Sequence, residues 1–497
     1  MSEESPRSLA PQGARTLSVA SRLAERTLAE RPGRANSQAQ TGRTLVVGRG
    51  AYATIGEAVA VAQDGDSVLV RPGTYRESVT VSRAIWLVGD GDRASVVIEY
   101  DGAPCLILER SSASVAQLTI RGGGPEGSGA VAIHGGSPSL DGLDLAESTG
   151  LVVDGSAAPR IRRCSIHDGR GTGIRALDGS TGTYEDNDIH SFAGLVGICI
   201  SGSRTAPLIQ ANRIRDCQLT GILIENGAVG VLEGNDIYGN TGFIGIWITG
   251  VRTAPLIRAN RIHDCQEASI VVKDGAAGVI EDNDVYGNAK VGISISDAGT
   301  APLIRANRIH DCQAGGIGIG GGAAGVIEDN DIYDNAQIGI GVSGARTAPL
   351  IRKNRIHGGQ GAGLVVNRGC HGTIEENDIY DNAQIEIFVA GARTAPLIRA
   401  NRIHDGQGGG IWIGHGAAGV LEDNDIYDNA ACGIVVSGAR TAPLIRGNRI
   451  HDCRGTGIWV DPGVIATITN NQILGNTEGA IHVESGATSA IARNSTD

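Results

Sequence analysis

Short aliphatic–polar alternations separated by Gly, Asn and Asp run along most of this chain; Leu303-Ile304-Arg305, Arg308-Ile309-His310 and Gly316-Ile317-Gly318-Ile319 form one set. A period of two, with every second residue apolar, marks a strand with one buried face. Helical spacing stands out at Ile55, Ala58, Val59 and Ala62, which predicts a short helix over Thr54 to Gln63 that plugs the end of a core.

The strand pattern is periodic. Pro159, Pro207, Pro255, Pro302, Pro349, Pro396 and Pro443 lie 48, 48, 47, 47, 47 and 47 residues apart. Each period has two halves, one like Ala301 to Asp311 and one like Gly325 to Asn335, and the Asn inside these halves recurs from Asn187 to Asn471 every 23 to 25 residues. Helical repeats need about 33 residues or more and propeller blades about 40, and the leucine-rich consensus is missing. Three short strands and three turns in one such unit make one winding of a solenoid. The chain therefore reads as all-β: a right-handed single-stranded parallel β-helix of about 16 coils with a short N-terminal capping helix. Residues 1–42 read as a flexible arm with an amphipathic docking helix at 16–30, 43–110 as the cap and first coils, 111–482 as the repeats and 483–497 as a C-terminal tail. The recurring Asn is expected to take the left-handed conformation at a sharp corner and to hydrogen-bond along the axis.

Composition agrees with a narrow core renewed at every coil: Gly is 75 residues, aromatics 3% and Met 1. A net charge of −12 argues against a nucleic-acid partner. No apolar stretch resembles a signal peptide or membrane span, so a cytoplasmic chain with no membrane partner is expected. Of nine Cys, Cys217, Cys265, Cys312 and Cys453 share one repeat position and read as small buried residues.

Aligned coils give two outward charge columns: Arg258, Glu281, Arg305, Glu328, Arg352 and onward, and Arg261, Asp284, Arg308, Asp331, Arg355 and onward. Each Arg is expected to pair with the acids above and below, which helps to set the register. These neutralised carboxylates recur without distinction, so no metal, cofactor or catalytic residue is assigned. His263, His310, His357, His404 and His451 alternate with Tyr286, Tyr333, Tyr380 and Tyr427, which predicts stacked rings.

A third outward column lies in the Gly-Ile-Xaa-Ile strand. It runs Leu223, Trp247, Val271, Ser294, Gly318, Gly341, Val365, Phe388, Trp412, Val435, Trp459, His482 and holds three of the four Trp. Trp247, Phe388, Trp412, Val435 and Trp459 are the candidate binding residues, since exposed aromatic clusters mark contacts with a protein partner or a glycan. Strand propensity alone also places aromatics here. Arg204, Arg252, Arg346, Arg393 and Arg440 recur in the loop before each Pro and form a candidate anion row.

The repeat resembles the pectate-lyase-like parallel β-helix superfamily, in its carbohydrate-binding and sugar-hydrolysis repeats, over about residues 111–480. It is similar above all to the β-helix of F-box β-helix substrate receptors, where halves like Pro349 to Gln360 alternate with halves like Ile374 to Ala383. No F-box is apparent in residues 1–42. Gly73-Thr-Tyr-Arg-Glu77 looks like one motif of pectin methylesterases, while that family's other motifs and the signatures of mannuronan epimerases and polygalacturonases are missing. The function expected is a non-catalytic scaffold that binds a protein partner, or a glycan, through its outward sheet faces. The alternative is a polysaccharide lyase, hydrolase or epimerase, as the resemblance implies.

Overall fold

The computed structural model describes residues 42–497 except 50, 126, 149, 194, 195 and 241. The expected arm and its docking helix at 16–30 lie outside the described residues, save Gly42.

The chain winds into three parallel sheets that run the length of the molecule. Sheet A has 20 strands of the Leu303–Arg305 type, sheet B has 19 of the Arg308–His310 type, and sheet C has 18 of the Gly315–Ile319 type. Equivalent residues stack in register: Ile304 on Ile327 in A, Ile309 on Ile332 in B, Ile317 on Ile340 in C. All six are buried. Burying such a side chain stabilises by about 1.5–3 kcal/mol, so each coil contributes its own thin slice of core. The stack has about nineteen windings rather than sixteen. The difference arises at both ends, where the repeat consensus fades but the coiling does not. Thr44–Val47, Ser67–Val70 and Trp86–Gly89 already stack in sheet A. Ala490–Ala492 and Ser495–Thr496 add strands within the segment expected to be a tail.

Helix α1, Ile55–Val61, covers the N-terminal end of the core with Ile55 and Ala58. Thr54 and Glu57 form a capping box, and Glu77 accepts the free N–H groups of Ile55 and Gly56 at 2.8 Å each. A carboxylate there satisfies orphan donors and opposes the helix dipole.

The corner between sheets A and B departs from the sequence reading. The left-handed residue is the one before Asn: Ala306 has φ 54°, Asp329 56° and Lys353 56°. Asn supplies the ladder alone. Asn307 Nδ2 donates to Asn330 Oδ1 at 3.0 Å, and Asn330 Nδ2 donates to Asn354 Oδ1 at 2.9 Å. Each Oδ1 also accepts the backbone N–H of the Asn one coil back. A second ladder at the corner from B to C uses Asn335, whose Oδ1 accepts the N–H of Cys312 at 3.1 Å. The stacked cysteines are buried and free, as expected of small core residues.

The charge columns pair on one side only. Arg305 reaches back to Glu281 at 2.6 Å and Arg352 back to Glu328 at 2.5 Å. In the second column Arg308 lies 3.6 Å from Asp284 and donates forward to Tyr333 Oη at 2.6 Å. The guanidinium fork thus gives one nitrogen to the acid behind and the other to the tyrosine ahead. The His–Tyr rings do stack: His310 and Tyr333 are 4.6 Å apart and 10° from parallel.

Candidate docking face

Sheet C presents the third column outward. Phe388, Trp412, Val435 and Trp459 are register neighbours on four successive strands, each half-buried. Trp247 is apart from them. Six strand steps, through Val271 and Gly318 to Phe388, separate it by about 30 Å at the usual strand spacing. Its ring instead sits under Lys273, with Nζ 5.4 Å from the centroid. The structure therefore assembles four of the five candidate residues into one face.

The rings stack nearly parallel along the axis. Phe388 and Trp412 stack at 4.6 Å and 5°. Trp412 also leans to within 5.1 Å of the His415 ring, across Gly414, where an added Cβ would overlap the indole. Trp459 stacks on His482 at 4.1 Å and donates Nε1–H to Asp461 at 2.8 Å. Stacking along the axis follows from the strand spacing of about 4.8 Å, which lies within the range of about 4.5–7 Å between the centroids of paired rings. One face of each of these rings is thus spent on a neighbouring ring.

Beside Phe388 the surface dips into an open groove of about 420 Å³ floored by Gly361 and Ala362, with Ile338, Val365, Ile385 and Phe388 as apolar walls and Gln337 and Gln384 on it. Small residues in one coil between larger ones in the next make the hollow.

One functional candidate escaped the sequence reading. Each neighbouring coil begins sheet C with a tightly packed Gly; a Cβ on Gly339 would lie 2.5 Å from Ile356 Cγ2 and from Gly363 O. At this position Glu386 stands instead, fully buried. Its carboxyl turns toward Gly406, where a Cβ would meet Oε1 at 2.5 Å, in a place that other coils fill with Cys. Asn382 donates to it from its backbone N at 3.1 Å and from Nδ2 at 2.5 Å. Burial pushes the carboxyl up to about 8, against those two hydrogen bonds, with Asp381 and Asp405 adding repulsion. The signal was available: Gln337-Ile338-Gly339-Ile340-Gly341 and Gln384-Ile385-Glu386-Ile387-Phe388 are one period apart and differ in those two places.

Among the described residues, no group of three or more His, Cys, Asp or Glu could hold a metal ion, and no helix is long and apolar enough to cross a membrane.

The family described as right handed beta helix region matches residues 105–242, 149–303, 245–382 and 339–497, which together take in most of the chain. The chain belongs to the right-handed β-helix family. This β-helix protein is 29% identical over 131 residues to human (Homo sapiens) SHC SH2 domain-binding protein 1, covering 26% of the chain and 20% of that protein. It is 30% identical over 138 residues to the Xenopus laevis homolog A, covering 27% of the chain and 20% of that protein. The β-helix protein thus spans about a fifth of the length of these curated relatives. Among solved structures it is similar to the A-module of the Azotobacter vinelandii mannuronan C-5 epimerase AlgE4, with 16% identity, TM-score 0.37, and coverage of 86% of this chain and 91% of that one. It is also similar to pectate lyase Pel9A, with 12% identity, TM-score 0.39, and coverage of 60% and 80%.

Proposed function

We propose that this β-helix is a non-catalytic scaffold that docks a protein partner on sheet C, across Phe388, Trp412, Val435 and Trp459. The observation that carries the reading is the run of large apolar side chains on four successive outward strand positions, beside an apolar groove. The outward positions of sheets A and B carry no Trp or Phe over these coils: sheet A alternates an aliphatic file such as Val326 and Leu350 with paired charges, and sheet B has paired charges and His–Tyr stacks. Rigid aromatics in one patch dominate binding energy at protein interfaces. The β-helix relatives named as SHC SH2 domain-binding proteins support a protein as the ligand class. The carboxyl that breaks the repeat, Glu386, is sealed in the core and has no path to a polymer substrate.

The test places a photo-crosslinking benzoylphenylalanine at Val435 in the full chain and compares it with the same chain carrying Phe388→Ala and Trp412→Ala. A partner cross-linked by the first and weakened about 30-fold or more in the second is expected, in line with truncated aromatic anchors. An identical set of captured proteins from both, or depolymerised product from acidic or neutral polysaccharides, would overturn the reading.

A further inference from the structure

Where sheet C hands the chain on to sheet A, five successive coils carry four arginines and a histidine at their outer turn: Arg346, Arg368, Arg393, His415 and Arg440. All five are exposed. In the sequence the arginines of the Gly-Ala-Arg-Thr turn fall only in alternate coils. The turns between them are shorter, and they set Arg368 and His415 into the gaps. The strand ends that lead into these turns stack in register, Ser343 on Asn367 on Ala390 on Gly414 on Ser437. These five residues occupy two interleaved files. A Cβ on Gly369 would touch Arg393 Cβ at 3.7 Å, and one on Gly438 would lie 3.7 Å from His415 Cα. The result is a rim of four arginines spread over five coils of about 4.8 Å each, with His415 among them.

We infer that this rim, with Phe388, Trp412 and the groove beside it, docks an extended acidic segment of the protein partner. The inference rests on the reading of sheet C as a protein-docking face and names the chemistry of what docks there.

Charge bookkeeping within the molecule is the first support. Among the described residues the arginines of sheet A are spoken for, Arg352 by Glu328, Arg399 by Glu375 and Arg446 by Glu422. Arg346, Arg368, Arg393 and Arg440 have no such carboxylate, in a chain whose net charge is −12. The rim is also bounded. Earlier turns on the same edge carry Asp274 and Asp297, and the turn after Arg440 carries Asp461. Sign changes at both ends limit the ligand to the stretch that flanks Phe388 and Trp412.

Backbone conformation is the second support. Arg346, Arg368, Arg393, His415 and Arg440 have φ of 67°, 58°, 68°, 55° and 66°. Long side chains seldom occupy this region, and Gly, as at Gly321 with φ 62°, holds it without strain. The same conformation at Arg204, Arg252, Asp274 and Asp297 shows that the turn itself requires it; at the rim it fixes where each side chain leaves the coil.

Ring geometry separates the ligand classes. Sugars and nucleobases bind aromatic side chains face to face, and single-stranded nucleic acid needs open ring platforms. Here Phe388 and Trp412 each lose one face to the other, which reduces the ring surface left for such ligands. Their edges and the apolar hollow suit an aliphatic side chain, and the amides of Gln337 and Gln384 can pair with an extended backbone. The groove lies at the leading ends of these strands and the rim beyond their trailing ends, so a segment crossing sheet C along the strand direction sets an aliphatic side chain in the hollow and an acidic one at the rim.

The experiment measures fluorescence anisotropy of a labelled peptide of alternating Glu and Leu against the full chain at low salt. Alternating Lys–Leu peptide, oligogalacturonate and oligo(dT) serve as rivals. The Glu–Leu peptide is expected to bind and to weaken with added salt. Arg368→Glu with Arg393→Glu, both on exposed turns, is expected to weaken it about 10-fold or more and to flatten the salt dependence, with the melting temperature unchanged. No binding of the Glu–Leu peptide, binding indifferent to the charge reversal, or tighter binding of oligogalacturonate or oligo(dT) would overturn the inference. The cross-linking partner of Val435 keeps the two ideas apart. Its loss with Phe388→Ala and Trp412→Ala but full retention with the charge reversal would remove the acidic segment and leave the docking face standing.

Discussion

Glu386→Gly is expected to make the protein more stable than its parent at about pH 9 and less stable at about pH 4, with the two curves crossing in between. The parent's buried carboxyl keeps its proton to about 8, whereas the same group in an open chain loses it near its ordinary value of 4.5. Across that window the folded state holds more protons than the unfolded one, so stability falls as pH rises. Below the window the penalty is absent, and above it the penalty is complete, on the order of 3–5 kcal/mol at 1.36 kcal/mol per pH unit. Glycine removes the penalty and restores the residue that other coils carry. It also leaves a hollow against Gly406, which costs about 1–3 kcal/mol at every pH. Because a solenoid opens coil by coil, the measurement is amide hydrogen exchange around Asn382 across pH, against a distant coil as control. Gly406→Cys supplies the second half of the argument. In the parent its Cβ would meet Glu386 Oε1 at 2.5 Å, so it should destabilise; in the Glu386→Gly background it should fill the hollow and stabilise. The two changes are then strongly non-additive. A parent whose coil stability is flat between about pH 5 and pH 9 would show that the carboxyl is not held in the core.

Asn330→Ala is expected to cost about 3–5 kcal/mol in its coil, among the largest single-residue losses in the molecule. Asn330 Oδ1 accepts from Asn307 N and Asn307 Nδ2, both at 3.0 Å. Its Nδ2 donates to Ile304 O and Glu328 O at 3.0 Å and to Asn354 Oδ1 at 2.9 Å. Alanine removes all five and strands the Asn307 N–H in a corner with almost no access to water. Neighbouring coils share the loss because each amide is both donor and acceptor for the next. Amides near Asn307 and Asn354 should exchange orders of magnitude faster, while those near Asn471 stay protected. A change below about 1 kcal/mol would mean that the ladder decorates the corner without holding it.

Much of this architecture was legible before any coordinates. Recurrence of Pro and Asn at fixed intervals determined that coils stack, because equal windings in register bring like residue onto like. It also placed Phe388, Trp412, Val435 and Trp459 in one file, since strand alternation decides which residues point out. The same reasoning grouped Trp247 with them by column alone, and in the structure six strand steps separate it from Phe388. Glu386 was passed over for a related reason: attention to what repeats hides the single position that does not.

What the sequence determined by itself is thus the one-dimensional order: which residue types follow which, and so the fold, the core and the outward columns. Tertiary structure decided everything that depends on the space between coils. It put the left-handed turn on Ala306 rather than Asn307, because the Asn amide is needed for the ladder and its neighbour is free to twist. It turned each Arg of the columns to the acid behind it. It let Glu386 into the room left by Gly406, and it set Arg368 and His415 in a second file beside arginines from longer turns. Turns of unequal length and voids left by absent side chains have no period, and only packing in three dimensions assigns them their neighbours.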